Sequence, residues 1–289
     1  MQNQPASTVE AAFWIQNLID GNGGLTIKIK RLVAEAASPF QKIEVLESFQ
    51  YGRILVLGGT IALTEKDEFI YSEMISHPAV NSHSQPQKVC IIGGGDGACL
   101  KEVLKYGQVE GVDVVEIDQL VTKMVKAHFP GLAGGFDDKR TSLVFADGYE
   151  WIKAKSKNYD VIIVDSYDHS GPIQSLSSAD FFASVKKALV EKGVAVFQLN
   201  SPELDPGLTR RTLDNLSEHF KFLRPYVAAI PSFPLGICGF VTCSNTEMPT
   251  AIDQFKTVAK ECHYYNDAVH RGAFLLPTYL KQILDTDRF

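Results

Sequence analysis

Four segments of this 289-residue chain carry carboxylates in settings where a carboxylate can do chemistry. Asp165-Ser-Tyr-Asp168, followed by Gly171-Pro172, sets two acids three residues apart in a loop. Such a pair can flank one bound amine, and it can equally make an Asx-type turn. Asp96 stands inside Gly93-Gly-Gly-Asp-Gly97, where glycines let the backbone approach a ligand closely. A carboxylate in that loop would repel a pyrophosphate and welcome a sulfonium or an ammonium. The loop therefore suits an adenosyl compound with a cationic tail better than a dinucleotide. Glu116 follows about 20 residues later, the distance at which nucleoside-binding folds keep an acid for ribose hydroxyls. Loop and acid together can also be a tight turn and a solvated side chain. Asp147, before Gly148, can accept from an adenine amino group, cap the helix that begins at Tyr149, or do both.

The elements that must position these residues are legible as hydrophobic runs. Val89–Ile92, Val112–Glu116, Ser142–Phe145, Tyr159–Val164 and Gly193–Gln198 predict strands. Helical patterns over Gly97–Tyr106, Gln119–His128, Tyr149–Ala154 and Ser178–Glu191 fall between them. This alternation predicts an α/β fold, a doubly wound, Rossmann-like, mainly parallel sheet with helices on both faces. Ligands of such sheets bind beyond the carboxyl ends of the strands. Asp96, Glu116, Asp147, Asp165, Asp168 and Gln198 all fall there. Carboxylates crowded at one rim repel one another unless a cation or hydrogen-bond donors are present.

Upstream, Leu25–Val33, Lys42–Ser48 and Arg53–Leu57 alternate apolar and polar residues, with turn signals at Tyr51-Gly52 and Gly58-Gly59. They predict a small antiparallel β domain, followed by a helix over Asp67–His77. The polar stretch Asn81–Gln87 reads as the boundary. The expected organisation is an N-terminal β domain with a linking helix at 1–80 and a Rossmann-like catalytic domain at 81–289.

Composition narrows the partners. Hydrophobic residues make up 45% and charged residues 21%, as in folded soluble chains. A net charge of −6 disfavours nucleic acid and mildly favours cationic ligands. No apolar run approaches the roughly 20 residues that span a bilayer, so no membrane association is expected. Met1–Glu10 is polar and lacks a signal-peptide core, which predicts a cytoplasmic protein. Cys90, Cys99, Cys238, Cys243 and Cys262 form no CxxC pair and no zinc spacing, so no metal site is expected. Cys90, inside an apolar strand, is expected to be buried.

Six segments, in order from about Ser38 to Pro277, resemble the spermidine synthases, a family of polyamine aminopropyltransferases. They are Glu65–Met74, Gly93–Gly97, Val115–Asp118, Asp147-Gly148, Asp165–Asp168 with Gly171-Pro172, and Tyr265–Arg271. The resemblance implies a methyltransferase-type Rossmann fold and transfer of an aminopropyl group from decarboxylated S-adenosylmethionine to an amine such as putrescine. It implies that Gln41, Ser72, Gly94, Asp96, Glu116, Asp147, Gly148 and Pro172 bind the donor. Tyr71, Asp165, Asp168 and Phe233 would bind the acceptor, with Asp165 as the catalytic proton acceptor. No metal or redox cofactor is implied, since the donor is a co-substrate. A homodimer or homotetramer is implied as well.

Departures from the family pattern cluster on the acceptor side. Gly58-Gly59 stands where Asp-Gly is usual, Ala62 where Gln is usual, and Ser72 where Gln or His is usual. Tyr167 and His169 enter the Asp165 motif, Phe233 replaces a Tyr, and Asn200 often corresponds to Glu. Cadaverine, agmatine, diaminopropane or a polyamine are therefore alternative acceptors. An N-methyltransferase using intact S-adenosylmethionine and a non-catalytic nucleoside- or polyamine-binding protein are the other readings.

Overall fold

Strands with apolar residues on both faces must be covered on both faces, and the second half of the chain is built that way. In the computed structural model, residues 13–19, 23–166, 176–249 and 258–284 are described. An antiparallel sheet comes first: β1 (Phe13–Ile19), β2 (Gly23–Ala37), β3 (Lys42–Ser48), β4 (Arg53–Leu57) and β5 (Thr60–Thr64), paired in sequence order. Helix α1 (Glu68–Asn81) follows. Then come β6 (Lys88–Gly93), α2 (Ala98–Val103), β7 (Gly111–Glu116), α3 (Gln119–His128) and the single turn α4 (Pro130–Ala133). Next are β8 (Thr141–Phe145), α5 (Gly148–Lys153), β9 (Tyr159–Asp165), α6 (Ala179–Ala188) and β10 (Leu189–Asn200). The chain continues with α7 (Pro206–Ser217), β11 (Phe222–Ala229), β12 (Ile237–Ser244), α8 (Asp267–Ala273) and α9 (Thr278–Leu284).

The second sheet has the order β11-β12-β10-β9-β6-β7-β8. Strands β8, β7, β6, β9 and β10 are parallel, and β12 runs antiparallel to both β10 and β11. Side chains alternate between the two faces. Val89, Ile91, Val161, Ile163, Val194 and Val196 join one buried cluster with Met74 and Ile75 of α1. Cys90, Ile92, Ile162, Val164, Ala195 and Phe197 join the other with Ile152 of α5 and Phe181 of α6. Cys90 is fully buried, as expected.

A third cluster joins the two sheets. Ile43, Val45, Leu55 and Leu63 pack against Val121, Met124 and Val125 of α3 and Phe129 and Leu132 beyond it. The first sheet is thereby seated over one end of the second. Helix α1, grouped with the N-terminal β region in the sequence reading, packs on α2, β9 and β10 of the second sheet.

Some expected bounds shift. The helix expected to reach Glu191 ends at Ala188, and Leu189 already pairs with Tyr159 of β9. The strand expected at Gly193–Gln198 is thus the middle of a longer β10, with a register break between Leu189 and Val194.

Candidate active site

Strand order places the site. The chain winds from β6 through β7 to β8 on one side, then crosses back to lay β9 against the other side of β6. Adjacent crossovers that leave in opposite directions open a crevice at the strand ends. A cavity of about 420 Å³ lies there, within the range of small-ligand sites.

The loop after β6 is shaped first by its neighbours. Gly93 pairs with Asp165 at the end of β9, and a Cβ on it would lie 2.1 Å from the Asp165 carbonyl oxygen. Its φ of +83° adds a second reason for glycine. At Gly95 a Cβ would sit 2.6 Å from the Glu116 carboxylate. With hydrogen there, the Gly95 N–H donates to Glu116 Oε2 at 3.0 Å. Glu116 Oε1 accepts from the Asp118 N–H at 2.8 Å. Asp118 in turn caps α3 and binds Ser38 Oγ at 2.7 Å and Gln41 Nε2 at 3.2 Å. This chain brings Gln41, from the turn before β3, to the cavity wall.

The wall carries Gln41, Gly94, Asp96, Glu116, Asp147, Gly148, Asp165, Tyr71 and Phe233, all singled out in the sequence. Gln198, Gly58 and Ala62 line it too. Asp147 caps α5, accepting from the N–H groups of Tyr149 and Glu150, so capping and cavity lining coexist. Phe233 stacks on Tyr71, with centroids 5.5 Å apart and planes at 16°.

Ser72 is not on the wall. In a helix the next residue is rotated by about 100°, so Tyr71 facing the cavity turns Ser72 away. Ser72 is fully buried and donates to the backbone carbonyl of Glu68 at 3.1 Å. Asp168 and Pro172, with Tyr167, His169 and Gly171, lie outside the described residues. The Tyr265–Arg271 motif is structural and lies elsewhere. Glu73 accepts from the N–H groups of His263, Tyr264 and Tyr265, and Asn266 caps α8.

Two acids on the wall were not singled out. Asp67 is spent internally, accepting from Thr64 Oγ1, Ser232 Oγ and the Ser232 N–H. Glu68 pairs with Lys101 at 2.7 Å. The available signal for Glu68 is its i,i+3 spacing to Tyr71 on the helix, which puts both on one face.

Among the described residues the cavity is lined by six acids, Asp67, Glu68, Asp96, Glu116, Asp147 and Asp165, and by no Lys, Arg or His. Burial, helped by the nearby Asp165, pushes Asp96 up to about 7. Burial likewise pushes Glu116 to about 7 against the pull of its two N–H donors. Asp165 is raised by burial and restrained by the Cys99 thiol and the Tyr71 hydroxyl, which donate to its two oxygens at 3.0 and 2.8 Å. Acids held in this way favour protonation, and a bound cation would stabilise their charged forms.

Residues 68–254 match the spermine/spermidine synthase domain, and residues 13–65 match the spermidine synthase tetramerisation domain. The polyamine aminopropyltransferase of Moorella thermoacetica is 36% identical over 94% of this chain and 96% of its own. That of Caldicellulosiruptor saccharolyticus is 35% identical over 96% and 99%. A crystal structure of spermidine synthase with the transition-state analogue AdoDATO superposes with a TM-score of 0.90 at 31% identity, covering 99% of this chain and 98% of that one. Spermidine synthase from Thermotoga maritima gives a TM-score of 0.89 at 30% identity. With family matches over residues 13–65 and 68–254 and nearly the full length shared with these relatives, the chain belongs to the spermidine synthase family of polyamine aminopropyltransferases.

Proposed function

We propose that this protein transfers the aminopropyl group of decarboxylated S-adenosylmethionine to a putrescine-like amine, giving a polyamine such as spermidine and methylthioadenosine. The observation that carries this reading is the cavity wall itself, with acids throughout and no cationic side chain among the described residues. Both proposed substrates are cations. In this reading Glu116 takes the ribose, Asp147 and Gly148 the adenine, and Gln41 and Gly94 the sulfur end of the nucleoside. Asp96 takes the aminopropyl ammonium. Pro172 at the adenine and Asp168 at the acceptor remain part of the proposal. Tyr71 and Phe233 line the acceptor's path.

An alkylamine has a pKa near ~10, so it arrives protonated and cannot attack. Asp165 takes that proton. The freed nitrogen lone pair attacks the carbon beside the sulfonium, the carbon–sulfur bond breaks, and its electrons neutralise the sulfur. Holding nitrogen and carbon in line supplies much of the acceleration. The chemistry calls on no metal or redox cofactor. The exchange of an acceptor-side Tyr for Phe233, and Ala62 on the wall, support an acceptor preference that departs from the family's usual one. The match to the tetramerisation domain supports a homotetramer over a homodimer.

Donor charge tests the reading. Asp96 favours a lone ammonium and repels the extra α-carboxylate of intact S-adenosylmethionine. Titration calorimetry should give tighter binding of the decarboxylated donor. Equal or tighter binding of the intact compound would remove Asp96 from this role.

A further inference from the structure

Asp165 sits in a hydrogen-bonded chain of four side chains from four elements. Cys99, in the first turn of α2, is fully buried and points its Sγ at Asp165 Oδ2, 3.0 Å away. Tyr71 of α1 reaches Oδ1 at 2.8 Å, and the same hydroxyl lies 2.7 Å from Gln198 Oε1 on β10. A hydroxyl has one proton and cannot donate to both acceptors at once. Its allocation depends on Asp165. When Asp165 is a carboxylate, Tyr71 donates to it. When Asp165 is protonated, it can donate to Tyr71, and the Tyr71 proton turns to Gln198. The Cys99 thiol also meets the Ser76 hydroxyl, and its contact with Asp165 is the one at 3.0 Å. Burial holds its thiol well above the ordinary range, so it remains a donor.

We propose that Cys99 and Gln198 are positioning residues that bias Asp165 in opposite directions, Cys99 favouring its anion and Gln198 accommodating its protonated form. The inference rests on the reading of Asp165 as proton acceptor. It goes further in giving two residues outside the proposed substrate contacts a role in proton uptake. The chain lets one proton arrive at Asp165 without leaving a buried polar group unpaired, which would otherwise be costly. No bond other than O–H is made or broken, and the proton returns to solvent after turnover.

The test is the pH profile of the single-turnover rate with saturating decarboxylated donor. The titratable groups facing Asp165 among the described residues are Asp96, Glu116, Tyr71, Cys99 and Cys238. Activity needs Asp165 as the carboxylate, so the rate falls as pH drops through its pKa. Cys99→Val removes the donor to the anion and should move that acid limb up by about half to one pH unit. Gln198→Leu removes the acceptor used by the protonated form and should move the limb down by a similar amount. Cys99→Ser keeps a donor and should restore the wild-type position. Cys99→Ala and Gln198→Met carry the same predictions if either first variant does not fold, as judged by near-ultraviolet circular dichroism and donor binding. Limbs that stay within 0.2 unit of wild type (about the precision of such profiles), or that move in the same direction, overturn the proposal. An Asp165→Asn enzyme that keeps its turnover would instead overturn the reading on which the proposal rests.

Discussion

At the scale of the residue, the site works by spending protein donors on some acids and withholding them from others. Asp67 has three donors and is silent. Glu116 keeps two backbone N–H groups, which fix the orientation in which, on the proposed reading, it would meet a ribose. Among the described residues Asp165 has a thiol and a phenol as donors, and burial outweighs them, so its pKa is raised. A carboxylate with a raised pKa would be better matched to taking a proton at neutral pH than an ordinary one. Asp165→Asn keeps the shape and cannot take the proton. Turnover should fall by ~10²–10⁴-fold, while the decarboxylated donor still binds in calorimetry. A variant within a few-fold of wild-type turnover would exclude Asp165 as the base.

At the scale of the element, legibility in the sequence followed period and turn chemistry. Strands β3 and β4 have the bounds their alternation predicts, Lys42–Ser48 and Arg53–Leu57. In β2 the alternation fails part way, because register shifts between Ile29 and Arg31 and between Leu32 and Ala34 re-aim the side chains. Ile27 and Ile29 are buried, but Leu32 is 42% exposed. The hairpin β11–β12 is hidden by Pro225, which argues against a central strand. Here Pro225 is tolerated because β11 is the sheet's edge. Four of the six cavity acids, Asp96, Glu116, Asp147 and Asp165, were legible because the strands of a parallel sheet end on one side, so counting strands locates their loops. The turn of Ser72 away from the wall was not, because a motif gives adjacency in sequence and not the rotation of a helix. The contacts that join Cys99 to Asp165 and Gln198 to Tyr71 span 66 and 127 residues of chain, beyond the reach of any motif.

At the scale of the whole molecule, the first sheet does two things. One face clamps α3 and so holds Gln41 over the crevice. The same region also exposes large apolar side chains, Phe13, Trp14, Leu32, Phe40 and Phe49, each at least 42% accessible. Exposed apolar groups concentrated on one part of a chain are a sign of association. Light scattering at micromolar concentration should give four times the 31.9 kDa chain mass. A dimer mass would reject the tetramer, and a monomer mass would reject self-association. Either result leaves unchanged the crevice, which is lined by residues of one chain. That chemistry is tested most directly by mass spectrometry of the products formed with either donor. The panel of acceptors is putrescine, cadaverine, diaminopropane, agmatine and spermidine. The account predicts an aminopropylated amine and an equal amount of methylthioadenosine from the decarboxylated donor, and no methylated amine from intact S-adenosylmethionine. Methylated product from the intact donor, or no amine product from either, would contradict it.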